Sequence, residues 1–340
     1  MPPISAPDQH LYSPNEIAGI EVWDRFMMPE FLEGVFYYCC NDTLGVCEVV
    51  YQKMDDIKLR FNISIRYGVD VLSSSESNIA DKIFGKKYCD IAGIDYSTYM
   101  KGRTFRQFVD IGECINPVIH FKTDELSNLL EKLKRTRIYN TKGDIEIFVT
   151  FAGTEYKIAT GGLHSVDGPA KFAADDENDL RDADVTSYYP NIVINGEISP
   201  AHLNAKYFIK TTEGVVKDRI AAKHRGDKVE ANTLKITINS GVFGKVGFPD
   251  SPVHDIKALV SVTVNGQLFL MMLIESLVTN GIRVISANTD GIVSIVPKDK
   301  SDLYYKLCEE WSKIVNFELE FTHYELYIRR DVNNYMAAVS

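Results

Sequence analysis

The sequence predicts an α+β fold: an antiparallel sheet backed by helices, carrying an antiparallel two-helix insertion and preceded by a mostly helical N-terminal region. Three observations predict it. Apolar residues recur at helical spacing through Phe31, Val35, Tyr38, Leu44 and Val49, and again over residues 260–280, the period of one buried helix face. Period-two alternation appears at Ile145, Ile147 and Val149, and two apolar runs flank the turn Asn288-Thr289-Asp290-Gly291, the mark of antiparallel pairs. Between them, residues 212–243 keep a helical pattern broken only at Gly226-Asp227, which suggests two antiparallel helices joined by a short turn.

In chain order, residues 15–60 read mainly as helix. Residues 73–78 are a polar break, and 77–84 start a short helix. Residues 85–120 have weak periodicity. Residues 123–135 read as a helix with Thr123 as N-cap. Ile145, Ile147 and Val149, then Gly153 and residues 156–158, form a hairpin that Gly161-Gly162 ends. Residues 184–193 read as a short strand running into Tyr188-Tyr189-Pro190. Residues 284–286 and 292–296 are strands around the Asp290 turn, 303–315 are a helix, and 326–339 contain a final strand.

The 340 residues suffice for two or three domains, and 45% apolar with 25% charged residues is ordinary for a globular chain. No run of eighteen apolar residues exists; the richest stretch, 259–274, is interrupted by Ser261, Thr263, Asn265, Gly266 and Gln267. We therefore expect no membrane association, and the N-terminus lacks the basic-then-apolar order of a secretory signal. The six cysteines are scattered, so neither a zinc site nor a disulfide framework is expected, and a reducing, cytoplasmic setting is the simpler reading.

The net charge of −10 by itself argues against a nucleic-acid binder. Its distribution argues otherwise. Residues 206–245 carry nine Lys/Arg against four acids, while Asp175, Asp176, Glu177, Asp179, Asp182 and Asp184 crowd the stretch just upstream. Such an arrangement can hold cations beside a polyphosphate, or it can be two solvated faces.

Asp184 reads as the end of a strand before a tight Ser187-Tyr188-Tyr189-Pro190 turn, and Asp290 lies in a turn between two strands. Asp290-Gly291 alone also reads as an ordinary hairpin signal. Together, however, two carboxylates from distant segments are what two-metal phosphoryl transfer needs, with ions about 3.5–4 Å apart. Arg219 and Lys223 are four apart, as are Lys235 and Asn239; each pair shares a helix face able to meet a triphosphate or simply to face solvent.

These residues resemble the B-family DNA polymerases, those of bacteriophages most nearly. The segment from Asp184 to Ser187-Tyr188-Tyr189-Pro190 is similar to the first palm motif of that family. Lys235 to Asn239-Ser240 with Phe243-Gly244 is similar to the fingers motif, and Asn288-Thr289-Asp290-Gly291 to the last palm motif. Three motifs in the family's order make a specific signal. The resemblance implies a palm (171–205 and 246–340), fingers (206–245), a connecting region (73–170) and a C-terminal remnant of an exonuclease domain (1–72). It implies that Asp184, Asp290 and the Val185 carbonyl bind two Mg2+ ions, with Mn2+ able to substitute. Ser187, Tyr188, Tyr189, Arg219, Lys223, Lys235 and Asn239 are then expected to contact the dNTP, with Tyr189 under the sugar excluding a 2′-hydroxyl. Gly161-Gly162 resembles a template-contacting loop, and Arg329, Arg330 and Tyr335 a region that grips primer–template DNA. Asp42 fits the last exonuclease motif.

There are departures. Phe243 lies four beyond Asn239 rather than three, Asn288 replaces an Asp, and Asn333 replaces a Lys. Asp144-Ile145-Glu146 spells the first exonuclease motif but lies after Asp42, and we read it as a coincidence. By the same resemblance, no thumb is expected after the palm. The implied activity is thus DNA synthesis without proofreading, in a host cytoplasm if the source is viral. Two alternatives stand beside it. One is a non-catalytic DNA-binding or assembly fragment of a split polymerase that needs a second polypeptide supplying thumb or exonuclease parts. The other is a ribonucleotide-using enzyme, against which Tyr189 argues.

Overall fold

The computed structural model describes residues 29–139, 145–238 and 243–340. The chain divides into two compact units, Met1–Leu72 and Ser73–Ser340. In the first, the described residues form the helices Pro29–Gln52 and Met54–Tyr67. The second of these carries Asp55 and Asp56 in its first turn, favourable to the helix dipole, and closes on Gly68 in the left-handed conformation.

The second unit is built on a nine-stranded antiparallel sheet. Its strands are β3 (Glu146–Phe151), β4 (Thr154–Ala159), β5 (Leu163–Ser165), β6 (Ala170–Ala173), β7 (Asn178–Val185), β8 (Arg283–Thr289), β9 (Gly291–Pro297), β10 (Leu319–Asp331) and β11 (Asn334–Val339). A separate two-stranded pair joins β1 (Val109–Asp110) to β2 (Arg137–Ile138). The order across the large sheet is β11-β10-β7-β9-β8-β5-β4-β3, with β6 also pairing to β10. β7 and β9 are therefore central neighbours, although about a hundred residues separate Asp184 from Asp290 in the chain. The antiparallel sheet backed by helices and the two-helix insertion are those the sequence predicts.

One helix, Ile256–Thr279, forms the core against this sheet. By length and composition it passes as a membrane span, yet 94% of its most apolar window is buried inside the protein. The polar residues that interrupt its pattern explain themselves by their partners. Asn265 accepts the Asn116 N–H at 2.7 Å and donates to the Cys114 carbonyl. Gln267 takes both main-chain groups of Ala159. Glu275 accepts from the N–H groups of Lys122 and Thr123 and from the Thr123 hydroxyl. Buried polar groups so satisfied cost little and fix which loop lies where. Thr123 is the N-cap residue of the helix Asp124–Lys134, as expected, but its side chain makes no capping bond and donates to Glu275 instead.

The two-helix insertion consists of Ala205–His224 and Lys228–Ile236, started by the side chains of Asn204 and Asp227 and joined through Gly226 at φ 74°. It rests on a third helix, Glu76–Ala92, through Phe84 against Phe208 and a Lys87–Asp218 ion pair at 2.8 Å. That third helix outruns the expected 77–84. Gly85 obscures the sequence pattern, and it is needed for room: a Cβ there would stand 2.6 Å from the Tyr99 ring.

Two further expectations are corrected. The strand expected over 184–193 instead ends at Val185, and the helix Tyr188–Asn195 follows. Pro190 sits in the first turn of that helix, where its missing N–H costs nothing. The stretch before Asp184 hides its strand character because the adjacent charges Arg181 and Asp182, beside Asp179 and Asp184, break the period-two alternation with Leu180, Ala183 and Val185. The single final strand is a hairpin, β10–β11. Its turn is made by the Asp331 carboxylate, which accepts the N–H groups of Asn333 and Asn334 at 3.0 Å.

Candidate active site

β7 and β9 run antiparallel with Asp184 opposite Gly291, and the Val185 N–H donates to the Asp290 carbonyl at 2.8 Å. This pairing brings the two predicted carboxylates to the same end of adjacent strands. Glycine at 291 makes room for the first: a Cβ there would stand 3.0 Å from Asp184 Oδ1. Asp290 caps a tight turn in which its own N–H donates to the Asn288 carbonyl at 2.6 Å. Thr289 in that turn has φ 55°, a left-handed conformation unusual for a β-branched residue.

Two more carboxylates that the sequence reading did not single out join the pair. Asp182 lies two residues before Asp184 on the same face of β7 and accepts the Tyr324 hydroxyl at 2.7 Å. Glu320 on β10 stands directly across from Asp184 in the strand register and accepts from the Thr186 hydroxyl at 3.3 Å. The period of two on β7 and a register known only after folding are what identify them.

The electrostatics follow from the crowding. Burial, and then the charges of Asp290, Asp182 and Glu320, push the Asp184 carboxyl up to about 7. Burial likewise raises Asp290, whose own main-chain N–H and then Lys235 act in the opposite direction. Asp182 rises for the same first reason. Half-buried acids held this way have lost water and gained repulsion, a combination that a cation relieves.

Asp184, Asp290 and Glu320 line a cavity of about 560 Å3. Val185, Ser187, Tyr188 and Tyr189 line it from the start of the Tyr188–Asn195 helix, whose N-terminal end carries partial positive charge. Arg219, Lys223 and Lys235 line it from the two-helix insertion. Arg219 donates to the Ser187 hydroxyl at 3.4 Å, and burial lowers its proton affinity. The Tyr189 ring lies 6.0 Å from that of Tyr188 and 6.2 Å from Phe243. Tyr188 is itself buried, its hydroxyl donated to the Gly266 carbonyl, so its ring is wall rather than ligand contact. Nine of the predicted site residues thus converge on one cavity. Asn239 lies outside the described residues, as does Asp144.

The remaining predicted residues stand elsewhere. Asp42 is exposed on the helix Pro29–Gln52. Gly161 and Gly162 form the β4–β5 turn, and Gly162 packs against Thr289. Arg329, expected to grip DNA, has its guanidinium turned inward: it pairs with the buried Asp167 at 3.3 Å, donates to the carbonyls of Gly168 and Ile285, and lies over the Phe172 ring. Arg330 is exposed beside Asp331 at 3.1 Å. Tyr335 is half exposed, its ring 5.2 Å from that of Tyr327; burial, then the charges of Asp182, Asp184 and Asp290, raise its hydroxyl.

Among the described residues no three His, Cys, Asp or Glu side chains form a closed metal cage. The donor set that the resemblance implies is two carboxylates and a main-chain oxygen. That set suits Mg2+, which takes oxygen ligands, keeps several waters and shares its shell with substrate phosphates.

No family model and no curated protein matches the chain. Among solved structures it is similar to the family B DNA polymerase of the hyperthermophilic archaeon Pyrobaculum calidifontis, at 14% identity and a TM-score of 0.48. The match covers 94% of this chain and 39% of that one. That neighbour is archaeal, so the leaning of the sequence toward bacteriophage members gains no support from it.

Proposed function

We propose that the chain performs template-directed DNA synthesis, transferring a nucleotide from a dNTP to a primer 3′-hydroxyl with release of pyrophosphate. One observation carries the reading: Asp184 and Asp290 share a cavity with Arg219, Lys223 and Lys235. Acids and cations lining one cavity suit a substrate that binds as a metal–triphosphate complex.

In this reading Asp184, Asp290 and the Val185 carbonyl hold the Mg2+ ions. When bound, the ions would neutralise the triphosphate and lower the pKa of the attacking hydroxyl. Arg219 offers the phosphates its fork of donors, while Lys223 and Lys235 act as point charges. Tyr189 forms the floor under the sugar, and its ring disfavours a 2′-hydroxyl. Positioning of the hydroxyl in line with the α-phosphate supplies much of the acceleration. The reading implies a cytoplasmic setting with primer–template DNA and dNTPs as partners.

A second reading, a non-catalytic DNA-binding fragment completed by another polypeptide, is favoured by the inward-turned Arg329 guanidinium. Primer extension by the chain alone separates the two. Extension that requires Mg2+ and vanishes in Asp184→Ala and Asp290→Ala supports the enzyme. Extension that survives either substitution rules out this assignment of the site. Extension seen only after a second polypeptide is added favours the fragment.

A further inference from the structure

Asp290 sits on a turn whose conformation is not self-supporting. Thr289 holds φ 55°, a left-handed conformation that is strained for a β-branched residue. Something must hold it there. The β4–β5 turn does so from behind. β5 pairs with β8 with Leu163 opposite Thr289 and His164 opposite Asn288. The Thr289 hydroxyl lies 3.2 Å from Asn288 Oδ1 and 3.4 Å from His164 Nε2. Asn288 Nδ2 in turn donates to the Val332 carbonyl at 3.3 Å, so the residue that replaces an Asp is tied to the β10–β11 turn by its amide.

Gly162 fills the remaining space. A Cβ on it would stand 2.6 Å from Thr289 Oγ1, 2.8 Å from Thr289 Cα and 2.8 Å from Thr289 Cγ2. Real Cβ atoms do not tolerate such distances, and the Cα is main chain that cannot swing aside. Any side chain at 162 therefore pushes the turn itself. The adjacent Gly161 has nothing within 4 Å of the same constructed atom. The two neighbouring glycines thus differ in kind: one is open, the other is pressed against the residue before Asp290.

We propose that Gly162 is a positioning residue that fixes the Thr289 turn and thereby the placement of the Asp290 carboxylate. This goes beyond the DNA contact that its motif implies, and it rests on the reading of Asp184 and Asp290 as metal ligands. The contact acts on the cation site first and on DNA only secondarily.

The test uses Mn2+ as a probe, titrated by electron paramagnetic resonance, alongside primer–template affinity and Mg2+-dependent extension. Gly162→Ala is expected to weaken Mn2+ binding about tenfold and to leave DNA affinity within about twofold. Gly162→Ala combined with Thr289→Gly removes the Oγ1 and Cγ2 clashes and relaxes the left-handed residue; part of the lost Mn2+ affinity should return. Should Gly162→Ala not fold, Thr289→Gly alone removes the contact from the other side and is expected to weaken Mn2+ binding about threefold or more. Unchanged Mn2+ affinity in folded Gly162→Ala or in Thr289→Gly overturns the proposal. So does a loss of DNA affinity that Gly161→Ala and Gly162→Ala share while Mn2+ binding is untouched. If the unaltered chain binds Mn2+ but extends no primer, the polymerase reading fails while the Gly162 result still stands or falls on the titration.

Discussion

Asp184 faces Gly291 across the β7–β9 register, and a methyl group at 291 would stand 3.0 Å from Asp184 Oδ1 and 3.3 Å from the Ala183 carbonyl. Gly291→Ala is therefore expected to displace the Asp184 carboxylate. Crowding of this kind costs about 1–2 kcal/mol of stability, readable by urea denaturation. Primer extension should fall about tenfold or more, and full activity in this variant would show that the carboxylate has slack.

Asp184 is raised to about 7, and the sign of its effect on stability follows. The folded state holds the proton more tightly than the unfolded chain, so stability is fully present below about pH 4 and is lost as pH rises toward 7. Asp184→Asn removes this loss. It should stabilise the metal-free protein by about 1–2 kcal/mol at pH 8, after allowance for screening of a half-exposed group, and by nothing at pH 4. Melting curves at the two pH values check it. Activity should be abolished at both.

The same linkage predicts a pH-dependent response to Mg2+. At pH 8 the carboxylates are ionised and a cation relieves their repulsion; at pH 5 protons occupy the site. Mg2+ at about ten times its dissociation constant should add roughly 1.4 kcal/mol at pH 8. The gain should vanish at pH 5 and in the double variant Asp184→Asn/Asp290→Asn. A gain of equal size at both pH values would place the ion elsewhere.

Arg329 pairs with Asp167, whose side chain is 2% exposed. The carboxylate also accepts from Ser165 and Ser286 at 2.8 and 2.7 Å. Arg329→Ala leaves a buried charge without its partner, so a stability loss of about 3 kcal/mol is expected. DNA affinity measured well below the new melting temperature should barely change. The opposite result, weak DNA binding at full stability, would return Arg329 to the duplex-gripping role implied by its motif.

Arg219 lines the cavity that Asp184 and Asp290 share. Arg219→Ala should raise KM for dNTP about tenfold or more, in line with about 1.5–3 kcal/mol for a hydrogen bond to a charged group. Arg219→Lys should recover only part of it, because the fork of donors is lost. Steady-state extension over a dNTP series reads both.

Local pattern alone carried much of this molecule. The hairpin at β3–β4, the Asp290 turn, the break at Gly226-Asp227 and the apolar core helix all announce themselves through period and turn chemistry, which depend only on near neighbours in the chain. The motif order named Asp184 and Asp290 as partners. Strand register, by contrast, depends on which strands meet, and no local pattern encodes that. It put Glu320 across from Asp184 and Gly291 beside its carboxylate. Burial likewise depends on everything packed around a residue. It turned Arg329 inward to Asp167, sent the Thr123 hydroxyl to Glu275 instead of its own helix's N–H groups, and pressed Gly162 against Thr289. The sequence determined which residues are candidates for the chemistry; the tertiary structure decided which of them touch, because proximity is a property of the packed whole.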